Sequence, residues 1–199
     1  IVPVASRHPA VPVIIPHFGA GFLRETLMAA DLCPNIYLDT SSSNRWLEYF
    51  PGLTLRAVFD QALQTLGPDR LLFGTDSSFF PRGWQRGGYE TQLSILDDLA
   101  IGEDARQQIL GGNFERVFDA AYDIGFAWAT VHCRTVEQKY HGPGRWSFLQ
   151  DLVRKNPDRI IFGSGDIWCV EDIFLMLETC GVHAVSVARG CIGNPWIFR

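Results

Sequence analysis

Residues 68–76 read Pro-Asp-Arg-Leu-Leu-Phe-Gly-Thr-Asp, and residues 157–166 read Pro-Asp-Arg-Ile-Ile-Phe-Gly-Ser-Gly-Asp. Each phrase holds a Pro-Asp turn, an arginine (Arg70, Arg159), a short apolar run, a glycine, a small hydroxyl residue and then a carboxylate. A short apolar run between turn signals suits a strand buried on both faces, as in a parallel sheet. The glycine and the carboxylate fall where that strand ends. In α/β barrels and open parallel sheets, chemistry sits at the carboxyl ends of the strands. Asp76 and Asp166 are therefore the first candidates for function. The alternative is that both phrases are strand-exit turns and nothing more, so the neighbouring strands decide.

Working outward, four further runs have the same character. Val11–His17 and Asn35–Thr40 precede the first phrase, and Ala127–His132 precedes the second. Val182–Ala188 follows it and leads into Arg189-Gly190. Helical spacing fills the intervals: Leu23–Leu32, a stretch capped by Thr54 and ending at Leu66, Glu90–Leu99 and Glu103–Leu110. Gly111-Gly112-Asn113 is read as an interruption, and Phe114–Tyr122 as helical again. In the second half, Arg145–Lys155 places Trp146, Leu149, Leu152 and Val153 on one face. Val170–Thr179 opens with Glu171 and Asp172, which suit a helix N-terminus, and Gly181 stops it. Ser41–Asn44, Pro81–Gly88 and Cys133–Gly144 read as loops.

Six strands alternating with helices argue for parallel βα units. The strands end in His17, Asp39, Asp76, His132, Asp166 and Arg189. This pattern predicts an α/β fold of TIM-barrel-type (β/α) units. A complete barrel takes eight strands and about 250 residues. With 199 residues and six strands, the expectation is an incomplete or recombined barrel. The chain begins at Ile1, directly before a strand-like segment, and ends at Arg199 without a closing element, so it is expected to be part of something longer.

Hydrophobic residues make up 47% of the chain, enough for a core. The net charge of −5 gives no sign of a surface built to coat nucleic acid. The five cysteines have no CxxC pair, which reads as reduced thiols in a cytoplasmic protein. No long apolar span predicts a membrane segment.

Residues 1–118 resemble the C-terminal part of the amidohydrolase-related barrels, in the manner of strands six to eight. The resemblance rests on Ile15-Pro-His17-Phe-Gly-Ala-Gly, Tyr37-Leu-Asp39-Thr-Ser, Arg70-Leu-Leu-Phe-Gly-Thr-Asp76 and Gly112-Asn113-Phe-Glu-Arg-Val-Phe118. It implies a metal-dependent hydrolase or decarboxylase acting on a small molecule. His17 would assist catalysis, and Asp76 would bind a divalent metal such as zinc or orient its water. Such a metal lowers the pKa of water, and a nearby His or Asp moves the proton. The His-x-His pair and the further His of those barrels are absent here, so this stretch alone is expected to hold no metal.

Residues 119–199 resemble the C-terminal barrel part of the tRNA-dihydrouridine synthases, again in the manner of strands six to eight. The markers are Thr130-Val-His132-Cys-Arg134-Thr, Gly142-Pro143 with Trp146, Gly163-Ser164-Gly165-Asp166-Ile167, and Ala188-Arg189-Gly190-Cys-Ile-Gly193-Asn194-Pro195-Trp196-Ile-Phe198. The resemblance implies FMN binding and reduction of uridine in tRNA. His132 would lie by the flavin. The Ser164-Gly165-Asp166 and Ala188-Arg189-Gly190 turns would contact its phosphate and ribose. Ser164 and Ala188 stand where these enzymes usually have Asn and Gly. Their catalytic Cys and flavin-contacting Lys lie outside the matched stretch, and Cys133 reads as a small residue beside the site. Any tRNA partner would be engaged through segments missing here.

The favoured reading is a chain of fused or truncated barrel pieces that lacks the full activity of either enzyme. The alternatives are flavin-dependent reduction of uridine in tRNA and metal-dependent hydrolysis or decarboxylation. Open parallel edges would also invite self-association.

Overall fold

The computed structural model describes residues 1–42, 44–76, 85–133 and 144–198. It divides into two compact units, Ile1–Ile124 and Gly125–Arg199.

In the first unit, helix α1 (Val2–Arg7) precedes strand β1 (Val13–Ile15), and a tight turn over Pro16–Phe22 leads into α2 (Leu23–Leu32). Strand β2 (Ile36–Asp39) is followed by a short 3-10 turn, Arg45–Tyr49, and by α3 (Leu55–Leu66). Strand β3 (Leu71–Leu72), α4 (Arg86–Asp98), α5 (Glu103–Gln107) and α6 (Asn113–Asp123) complete the unit. The three strands form one parallel sheet in the order β1-β2-β3. Ile36, Leu38 and Leu71 of the sheet are fully buried against Val58, Phe59 and Ala62 of α3, with Leu96 of α4 and Ile109 in the same core. Phe18 and Phe59 meet edge to face at 5.0 Å, a geometry that aromatic quadrupoles favour.

Local chemistry accounts for several boundaries. Thr54 Oγ1 accepts the Ala57 amide at 3.2 Å and so caps α3. Arg70 donates to the Ala30 carbonyl at 2.6 Å, in the last turn of α2. Asn113 donates to the carbonyls of Pro68 at 2.7 Å and Leu71 at 2.8 Å. Arg116 holds the Asn113 side-chain oxygen at 2.5 Å and the Asp69 carbonyl at 2.9 Å. The Gly-Asn-x-x-Arg motif is thus a clamp on the Pro-Asp-Arg turn that feeds β3.

The second unit repeats the plan. Strands β4 (Ala129–His132), β5 (Ile161–Ser164) and β6 (Ala184–Ser186) form a parallel sheet in that order, alternating with α7 (Trp146–Lys155) and α8 (Val170–Cys180). Leu149, Ile161 and Met176 are fully buried. A Cβ at Gly163 would lie 2.6 Å from Met176 Sδ and 2.7 Å from Leu149 Cδ2, so α7 and α8 both press on β5 there. Gly181, at φ 69°, ends α8 in the left-handed conformation.

The α/β class and the six parallel strands are as the sequence indicates, in two three-stranded sheets. Among the described residues neither sheet closes into a barrel. Four details differ. Val2–Arg7 is helical, because Pro3 suits a first turn and Asn35 draws on the carbonyls of Ala5, His8 and Val11. The strands are shorter than their apolar runs, since Pro16 and Phe73 already leave the ladder. Helix α4 starts at Arg86, aided by an Arg86–Glu90 pair at 2.6 Å. Gly111-Gly112 does not interrupt the helix but winds as a π-turn over Gln108–Gly112 that joins α5 to α6. Of the two longer loops, 77–84 and 134–143 lie outside the described residues.

Gln92, on α4, is 3% exposed. It accepts from Thr40 Oγ1 at 2.6 Å and donates to the Gly74 carbonyl at 2.8 Å, tying the exits of β2 and β3 together. Replacing it with Leu removes both bonds and leaves the buried Thr40 hydroxyl without its acceptor. The Gln92→Leu variant should lose about 1–3 kcal/mol of stability, read as a lower urea midpoint for the first unit.

Candidate functional site

In the first unit the exits of β1 and β2 are hydrogen-bonded to each other, and in the second the three strand exits line one cleft. In the first, the chain leaves β1 through four consecutive residues of positive φ: His17 at 61°, Phe18 at 53°, Gly19 at 78° and Ala20 at 49°. Non-glycine residues rarely adopt this region, and such strain concentrates at functional sites. Packing enforces it here: Phe18 is fully buried, and a Cβ at Gly19 would lie 1.9 Å from Thr26 Oγ1 of α2. His17 Nδ1 is 2.8 Å from the Ser41 carbonyl oxygen and 3.0 Å from Ser41 Oγ. Ser41 in turn donates from Oγ and from its amide to the Asp39 carboxylate, at 2.9 and 2.5 Å. Asp76 follows the buried Thr75 in a left-handed conformation, φ 55°.

A catalytic zinc takes three protein ligands and an open position. Among the described residues, no three His, Cys, Asp or Glu side chains come together to hold a metal ion. His17 and Asp76 supply two donors at most, and Nδ1 of His17 is already committed to Ser41. The described donor set does not fit a catalytic metal.

In the second unit, a small cleft at the carboxyl ends of the strands is lined by His132, Ser164, Gly165, Asp166, Ser186, Ala188, Arg189 and Gly190, with Ile167 and Trp168. His132 is exposed at the end of β4, with Nδ1 3.3 Å from Ser164 Oγ. Asp166 sits at φ 56°, after Gly165 at 125°. Its carboxylate accepts the Gly144 amide, which fixes the start of α7, and Trp146 Nε1 donates to the Gly165 carbonyl at 3.1 Å. Arg189 lies 3.9 Å from Asp166 and its guanidinium stacks over the Trp168 ring at 5.1 Å. The Arg189–Cys191 turn packs its backbone directly on the preceding loop: a Cβ at Gly190 would lie 1.9 Å from the Ile167 carbonyl oxygen. Cys133 is buried beside the cleft, its thiol donating to the Ser164 carbonyl at 3.0 Å.

Two supporting residues have contacts that their places in the sequence do not reveal. Asp172 accepts the amides of Trp168 at 2.8 Å and Cys169 at 3.0 Å, and so holds the loop between Asp166 and α8. Burial works against its charge, but these amide bonds outweigh that and lower its pKa. Ser41 is the other; only the closing Thr-Ser of the β2 motif pointed near it. Arg134, Gly142 and Pro143 lie outside the described residues.

Parallel βα units with acids, histidines and an arginine at the strand exits define a chain built from α/β-barrel parts. The pattern of the amidohydrolase family matches residues 1–120, and the chain belongs to that family. Residues 111–199 match a second family, dihydrouridine synthase (Dus), so the likeness is two-part. A probable tRNA-dihydrouridine synthase of Treponema pallidum is 42% identical over 83 residues, covering 40% of this chain and 24% of that protein. A namesake from Mycobacterium tuberculosis is 35% identical over 109 residues, covering 54% of this chain and 27% of that protein. The chain thus spans about a quarter of each of these relatives. A zinc-bound amidohydrolase structure from Burkholderia multivorans aligns with 59% of this chain and 47% of its own, at 20% identity and a TM-score of 0.48. Among the described residues, no helix is long and apolar enough to cross a membrane.

Because the Ile167 carbonyl is backbone, it cannot yield to a side chain at position 190. Gly190→Ala should cost the second unit about 1–3 kcal/mol by overpacking. Thermal unfolding followed by tryptophan fluorescence checks this, and an unchanged midpoint would contradict the packing described.

Proposed function

We propose that the second unit binds the phosphate end of FMN in the cleft between the exits of β5 and β6. The observation that supports this most is the convergence of residues distant in sequence: His132, Ser164-Gly165-Asp166 and Ala188-Arg189-Gly190 all line that one cleft. The donor chemistry suits a phosphate. Arg189 offers a charge-assisted, bidentate clamp. Glycine-containing turns let backbone N–H groups approach an anion. Arg189 now shares its charge with Asp166, whose other anchor is the Gly144 amide. A phosphate would draw Arg189 away from a carboxylate that stays in place.

Bound FMN supplies hydride chemistry. This chain's residues would orient it: His132 at the mouth of the cleft, and Trp168 steadying Arg189. The relatives named tRNA-dihydrouridine synthases extend the proposal to reduction of uridine in tRNA, with the reacting Cys and the Lys of those enzymes supplied from outside the matched stretch. The first unit, in this reading, contributes amidohydrolase-type scaffold without its metal chemistry. The chain combines pieces of two barrels and lacks the full activity of either.

The test is an FMN fluorescence titration of the purified chain. Saturable quenching is expected, weakened roughly 10- to 100-fold in Arg189→Ala, since a hydrogen bond to a charged group is worth about 1.5–3 kcal/mol. Riboflavin, which lacks the phosphate, should bind weakly and be indifferent to the substitution. A folded chain that leaves FMN fluorescence unchanged would overturn the proposal. For the first unit, elemental analysis after dialysis should find zinc well below one equivalent. Stoichiometric zinc that is lost in Asp76→Ala would overturn that part.

A further inference from the structure

We propose that Ser41 and Asp39 are positioning residues for His17, fixing its neutral imidazole as the Nδ1–H tautomer so that Nε2 carries the lone pair. This concerns the first unit and is independent of flavin binding in the second.

The argument follows from donor and acceptor bookkeeping. A carbonyl oxygen only accepts, and the Ser41 carbonyl lies 2.8 Å from His17 Nδ1. The opposite tautomer would set two lone pairs against each other at that distance, which favours the proton on Nδ1. Ser41 Oγ, 3.0 Å from the same nitrogen, then meets that N–H with a lone pair. Its own proton goes to Asp39 Oδ2 at 2.9 Å. Asp39 Oδ1 accepts the Ser41 amide at 2.5 Å. With the proton on Nδ1 every donor in this relay finds an acceptor and no lone pairs oppose one another.

The surroundings hold the arrangement in place. Ser41 is 6% exposed, and Thr40 before it is fully buried. Gly74, at the exit of β3, closes the other side: a Cβ there would lie 2.7 Å from Asp39 Oδ1 and 2.8 Å from Ser41 Cβ. The left-handed backbone at His17 delivers its ring to this pair. A carboxylate at the far end of the relay favours the proton on Nδ1, as second partners of histidine commonly do. The outcome is a histidine preset to offer Nε2 as a hydrogen-bond acceptor to an O–H or N–H group of a bound molecule.

Long-range 1H–15N spectra of the 15N-labelled full chain read the tautomer directly. The chain has five histidines, and His17→Gln identifies the signals of His17 by their loss. At a pH where His17 is neutral, a protonated Nδ1 and an unprotonated Nε2 are expected, the reverse of the preference of a solvated histidine. In Ser41→Ala and Asp39→Asn the Nδ1–H fraction should fall toward the solvated ratio. Ser41→Thr, which keeps the hydroxyl, should restore it. A predominant Nε2–H form in the unaltered chain would overturn the proposal. So would a ratio that both Ser41→Ala and Asp39→Asn leave unchanged, because the Ser41 carbonyl alone would then set the tautomer.

Discussion

Three side-chain amides supply what very short strands cannot. Strands of two to four residues make few ladder bonds, and backbone carbonyls beside them still need donors. Asn35 serves Ala5, His8 and Val11. Gln92 serves Gly74 and, at longer range, Thr40. Asn113 serves Pro68 and Leu71. Each amide bridges segments far apart in sequence, so the sheet of the first unit is fixed as much by these cross-links as by its own hydrogen bonds. Asn35 and Asn113 act where β1 and β3 begin, and Gln92 ties the exits of β2 and β3.

Elements with strong local signals were readable in the chain. Leu23–Leu32 and the Thr54-capped helix have the bounds their sequence indicates, and the Pro-Asp-Arg phrases lead into strands in both units. What escaped depends on partners remote in sequence. Helix α1 contains Val2 and Val4, poor helix formers, and is held by Asn35. Gly111-Gly112 looks like a break, yet the Asn113 clamp keeps the chain winding through it. Gln92 reads as an ordinary polar helix residue, and nothing marks it as a tie between two strand ends.

The two clusters were legible to different degrees. The residues that line the cleft of the second unit lie in three short motifs, and the parallel order β4-β5-β6 brings those motifs side by side. In the first unit, His17, Asp39 and Asp76 were visible as strand-end residues. The connection of His17 to Asp39 through Ser41 was not, because it depends on a left-handed turn at His17 that non-glycine residues seldom take.

Asp76 and Asp166 share one backbone feature, a positive φ of 55° and 56° at the last residue of the repeated phrase. Within a strand, the direction of a side chain depends on odd or even position, and a one-residue shift turns it to the other face. Asp76 and Asp166 lie outside that alternation, because each follows its strand at a distance, four residues after Leu72 and two after Ser164, and itself takes the left-handed step. The same joint thus presents a carboxylate at a strand exit in both units, whatever the length of the connection before it.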